Sequence, residues 1–125
     1  MQALSIHLPD GRPLAARAWA STHTFERAQG WLGRDSVEAG DGLLIVPCNS
    51  IHTLGMRFAI DVAFLDRGGR VLKLAADLRP GRLAWGPWRG LLLPWTVQAL
   101  ELPAGSLRAS GLQVGQTLRI ERRDP

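Results

Sequence analysis

The chain has 125 residues, 46% of them hydrophobic, which fits one folded domain with a single core and excludes a disordered polymer. Its one cysteine, Cys48, rules out an intramolecular disulfide and a cysteine-rich zinc site. The net charge is +4 and nearly all arginine, since Lys73 is the sole lysine; the arginines are spread along the chain, with only Arg122 and Arg123 adjacent, a pattern of solvated surface rather than a nucleic-acid footprint.

The opening residues, MQALSIHLPDGRP, lack a basic stretch followed by an apolar one, and no apolar run is long enough to cross a bilayer. A cytoplasmic protein with no membrane partner is therefore expected. Residues 4–8 alternate apolar and polar, Asp10-Gly11 forms a turn, and LAARAWA follows, which predicts an opening β-hairpin with His7 on its polar face.

Ser21 and Thr22 offer helix caps, and Phe25, Ala28 and Leu32 stand at helical spacing, so a short helix is predicted over 23–32, anchored by Trp31 and stopped by Gly33. After the EAGDG loop, LLIV at 43–46 predicts a strand buried on both faces, which Pro47 ends.

The segment CNSIHTLG then gathers a thiol, hydroxyls and an imidazole before the alternating run from Arg57 to Leu65. That run places Phe58, Ile60, Val62 and Phe64 on one strand face and Ala59, Asp61 and Ala63 on the other. Asp66-Arg67-Gly68-Gly69 turns the chain into an antiparallel strand, RVLKL.

Residues 77–95 hold three prolines, three glycines and Trp85, Trp88 and Trp95, a loop composition broken by the triplet Leu91–Leu93. Val97 to Leu102 is another alternating strand, followed by a PAGS turn and a last strand near Thr117 to Glu121. Frequent turn signals predict a single domain over 1–125 of α+β class, mainly β: a small barrel-like or rolled antiparallel sheet with one short helix.

The segment NSIHTLGMRFAIDVAFLD at 49–66, with ALELPAG at 99–105 and a glycine-preceded terminal strand, resembles the family called domain of unknown function 192, or UPF0127. GWLGR at 30–34 is similar to the family's Gly-Leu-Met-x-Arg-like segment. The matching positions are Ile60, Asp61, Phe64 and Asp66, then Leu100 to Gly105, and the likeness spans roughly Thr22 to Ile120. It implies a small β-barrel-like α+β fold and no established activity. In the family's other common form the residues before the strand read Trp-Met-Lys-Asn-Thr, where this chain has His52, Thr53, Leu54, Gly55 and Met56. If both forms do the same job, His52 is not an indispensable base.

His52, Asp61 and Glu101, with Cys48 nearby, form the sharpest catalytic candidate, an imidazole and carboxylates for acid–base work. The structural alternative is that the carboxylates pair with arginine or accept backbone N–H bonds. Cys48 is a candidate nucleophile if His52 reaches it, and otherwise a small apolar filler. No histidine or cysteine spacing supports a metal, and neither a phosphate-binding glycine loop nor a Gly-x-Ser-x-Gly elbow is present. Trp85, Trp88 and Trp95, interleaved with Arg82 and Arg89, either stack a ligand or cover the end of the fold.

The leading expectation is a non-catalytic module that binds a small molecule or a protein and needs no cofactor. Its pocket would comprise Asn49, Ser50, His52, Thr53, Met56, Asp61, Trp85, Trp88 and Glu101. A hydrolase using His52 with Asp61 or Glu101 is the alternative, and nucleic-acid binding through arginine and tryptophan is a third.

Overall fold

The computed structural model describes residues 1–21 and 31–124. Seven of its strands form one sheet: β1 (Gln2–His7), β2 (Pro13–Ser21), β3 (Asp41–Ile45), β5 (Ile60–Asp66), β6 (Val71–Leu78), β8 (Val97–Pro103) and β9 (Arg119–Arg122). Their order across it is β6-β5-β8-β3-β2-β1-β9. A separate ribbon pairs β4 (Ser50–His52) with β7 (Leu83–Trp85). The described helices are α1 (Arg89–Leu92), followed by a 3-10 turn at Pro94–Thr96, and α2 (Ser106–Ser110).

This is a mainly β, α+β fold, but the sheet does not close into a barrel: β6 and β9 remain its edges. The residues leading into those edges do meet, through a bridge between Arg70 and Thr117 and a bond from the Leu118 N–H to the Gly69 carbonyl at 2.9 Å. Gly69 has a φ of +92°, and a Cβ there would stand 2.8 Å from the Leu118 carbonyl oxygen, so the contact needs glycine. β1 lies between β2 and β9, with Ile6 opposite Ile120.

The antiparallel expectation fails at one pair, since β2 runs parallel to β3. Ser21 is the fully buried last residue of β2, and the start of the helix that it and Thr22 are expected to cap lies outside the described residues. The helix predicted over 23–32 falls largely outside the described residues, although Trp31, its expected anchor, is buried.

Both faces of the sheet are covered, which explains why β5 and β8 are buried along almost their whole length. One core holds Leu4, Ile6, Leu44, Leu65, Leu100 and Leu102 with Leu107 of α2. The other holds Leu43, Ile45, Ile60, Val62, Phe64 and Ala99 beneath Ile51, Met56 and Ala84 of the ribbon region. The ribbon is thus a lid on the second face.

Candidate functional site

Asp61 is 1% exposed and belongs to the scaffold of the first face. Residues of β6 at 76 and 77 stand opposite it where the β5–β6 register shifts, a bulge at which Asp77 adopts a φ of +53°. The Asp77 N–H, freed from the ladder, donates to Asp61 Oδ1 at 2.8 Å. Asp61 Oδ2 accepts the Leu107 N–H, also at 2.8 Å, in the first turn of α2, whose donors have no partner within the helix. Both carboxylate oxygens therefore hold backbone together.

Glu101 stands on the other side of the sheet. It pairs with Leu43 and Val62 and alternates with Leu100 and Leu102, so it shares a face with Ala99 and the second core. It is 3% exposed, and burial pushes its carboxyl up to about 7. No hydrogen bond or ion pair reaches it from the described residues.

His52 is exposed on the outer face of the ribbon, beside Leu83, while Ile51 and Ala84 point inward. The three acid–base candidates thus lie on three different surfaces and do not converge. The Cys48 thiol donates to the Ser50 carbonyl at 3.0 Å.

The remaining turn residues fasten the lid. Thr53 is fully buried; its hydroxyl donates to the Arg79 carbonyl at 2.6 Å and accepts the Arg82 N–H at 2.8 Å, closing the turn from β6 into β7. Met56 packs in the second core. Asn49 wedges its amide between Gly86 and Gly90, where a Cβ at either glycine would collide with it. That wedge joins the ribbon to α1.

Above the wedge the surface is apolar. Leu54, Leu83, Trp85, Trp88, Leu91, Leu92 and Trp95 are each more than half exposed, led by Trp88 at 73%. Ser50 and His52 lie beside Trp85 and Leu83 on the ribbon's outer face. Of the predicted pocket residues, Ser50, His52 and Trp85 therefore share the ribbon's exposed outer face, Trp88 is exposed at the N-terminus of α1, Asn49, Thr53 and Met56 hold the ribbon region together, and Asp61 and Glu101 lie apart. Leu83, Leu91 and Leu92 were not predicted as contact residues, the only sequence signal for the last two being an apolar triplet in a proline- and glycine-rich stretch, whereas Trp95 shares with Trp85 and Trp88 the expectation of stacking a ligand or covering the end of the fold.

The DUF192 profile, described as "Uncharacterized ACR", matches residues 6–120. The chain belongs to the DUF192 family. No curated protein matches it. Solved structures share the fold, two of them as follows. One is a protein of unknown function from Novosphingobium aromaticivorans, with TM-score 0.72 and 20% identity over 94% of this chain and 83% of that one. The other is a putative transcription regulator from Sinorhizobium meliloti, with TM-score 0.76 and 17% identity over 94% of this chain and 92% of that one.

In this DUF192 domain the signature residues act on the fold. Besides the Asp61 clasp, Asp66 Oδ1 accepts the N–H groups of Gly68 and Arg70 to set the hairpin turn, and its carbonyl accepts the Gln98 amide. Surface clefts of about 540, 240 and 120 Å³ are lined by none of the predicted site residues. The second has Arg17, Arg123, Trp19 and Trp31 in its walls, but Arg17 binds Asp41 and the Ala39 carbonyl, and Arg123 binds the Leu4 and Ala18 carbonyls and covers the Trp19 ring. Among the described residues no three histidine, cysteine, aspartate or glutamate side chains gather to hold a metal, and no helix is long and apolar enough to cross a membrane.

Proposed function

We propose that this protein is a non-catalytic binding module whose contact surface is the outer face of the β4–β7 ribbon with α1 and the 3-10 turn. The observation that carries this reading is the run of leucine and tryptophan side chains held in water between positions 83 and 95. Folded domains rarely expose large apolar groups contiguously unless something covers them. The cost of exposing them is borne on a lid that is itself well fastened, by Thr53 and by the Asn49 wedge.

The hydrolase alternative has less support, because Asp61 spends both oxygens on backbone donors and His52 faces solvent away from Glu101. Nucleic-acid binding, raised by the transcription-regulator name of the Sinorhizobium protein, lacks a clustered basic stretch in this sequence, and the longest described helix spans five residues.

The dye 8-anilinonaphthalene-1-sulfonate tests the surface directly. Native protein should enhance its fluorescence, and Trp88→Ser with Leu92→Ser should remove most of the enhancement at unchanged thermal stability. A native protein that leaves the dye dark, or a variant that binds it as well, removes the reading.

A further inference from the structure

We infer that the partner covering this apolar face is the surface of an anionic phospholipid bilayer, an inference that rests on the binding-surface reading above. It replaces the expectation of no membrane partner, which followed from the absence of a spanning segment and does not bear on docking from one side.

Charge favours an anionic partner. From Leu78 to Leu100 the chain contains Arg79, Arg82 and Arg89 and no aspartate or glutamate. Arg67 adds a fourth cation, its guanidinium donating to the Trp95 carbonyl at 3.0 Å. The carboxylates that flank these residues in sequence are Asp77, a loose partner of Arg79 at 3.9 Å, Asp66, whose Oδ1 accepts the N–H groups of Gly68 and Arg70, and the buried Glu101. A face of arginine and apolar side chains complements a negatively charged layer with hydrocarbon beneath it, and a second copy of the same face would meet it with like charge.

Shape favours a deformable one. Successive residues of an α-helix diverge by about 100°, so Leu91 and Leu92 of α1 point in different directions. Both are nevertheless about two-thirds exposed, at 65% and 69%, and Leu93 follows at 44%. One flat protein surface cannot cover side chains that radiate from a tip, whereas a deformable apolar medium can envelop them.

The residue types suit a lipid boundary as well. Tryptophan favours the headgroup level, where its ring is apolar and its N–H stays wet, and arginine buries its stem while its head remains in water. In the docked arrangement the α1 tip, with Leu91, Leu92 and Trp88, enters the acyl boundary. Trp85 and Trp95 lie at headgroup depth, and Arg67, Arg79 and Arg82 engage phosphates.

Vesicle flotation tests this with the full chain. Vesicles of phosphatidylcholine with phosphatidylglycerol should carry the protein upward at low salt with a blue shift of tryptophan emission, while phosphatidylcholine alone should carry much less. Trp88→Ser with Leu92→Ser should weaken partition about tenfold or more. Arg79→Ala with Arg82→Ala, which leaves the apolar tip intact, should weaken it severalfold and flatten its salt dependence. Native protein that binds the dye but floats with neither vesicle overturns the lipid assignment and leaves the binding surface standing, as does a dimer in sedimentation velocity that depends on Trp88 and ignores vesicles. Failure with both dye and vesicles overturns both readings.

Discussion

Asp61 Oδ2 accepts the backbone N–H of Leu107 across 46 residues of sequence, while its other oxygen holds the Asp77 N–H. Replacing it by alanine leaves the buried Leu107 donor and the part-buried Asp77 donor without their acceptor. Asp61→Ala should lower stability by about 3 kcal/mol or more, and Asp61→Asn, which keeps one acceptor oxygen, by less. Urea unfolding measures the loss, and hydrogen exchange should show lost protection at the Asp77 and Leu107 amides.

Glu101 makes stability depend on pH. Its folded carboxyl titrates at about 7 against an ordinary value of 4.5, so the folded state holds the proton more tightly than the unfolded chain. The contribution of protonated Glu101 is complete below about 4.5, declines as pH rises and is lost above about 7, a swing of about 3 kcal/mol. Glu101→Gln should remove this decline, so that the variant gains on wild type between pH 5 and 8. Parallel melting-temperature profiles for the two proteins would contradict the assignment.

The Asn49 wedge predicts a coupled pair. Gly90→Ala should cost about 1–3 kcal/mol because the new methyl meets the Asn49 amide, and much of that cost should disappear in an Asn49→Ala background. A double-mutant cycle by denaturant unfolding reads the coupling, and additive effects would mean that the two sites do not touch.

Thr53→Val keeps the shape of the side chain and removes a donor and an acceptor buried in the turn before β7. The expected loss is about 1–2 kcal/mol, with faster hydrogen exchange at the Arg82 amide.

Much of this architecture is legible in local pattern. Asp10-Gly11, the Asp66–Gly69 turn, the doubly buried LLIV run and the alternation from Ile60 onward all lie where turn chemistry and period predict them. What escaped is set by register. Both neighbours of Asp61 are apolar, as are both neighbours of Glu101, so alternation alone does not reveal that the two carboxylates point to opposite faces. The parallel β2–β3 pair and the bulge at Asp77 arise from long-range pairing, and α2 is a five-residue helix one of whose first-turn donors is satisfied from a strand far away. In β7 it is small Ala84 that enters the core, while Leu83 and Trp85 remain outside, the reverse of what hydrophobicity ranks.

The pairing of Ile6 with Ile120 has a consequence for biosynthesis. A ribosome delivers β1 early and β9 more than a hundred residues later, so a nascent chain shorter than residue 122 carries β1 with one edge of unpaired backbone donors and acceptors. Until translation reaches that point, the growing polypeptide offers a strand edge to any other extended segment nearby, and a stalled or truncated product should be the form of this protein most prone to aggregate.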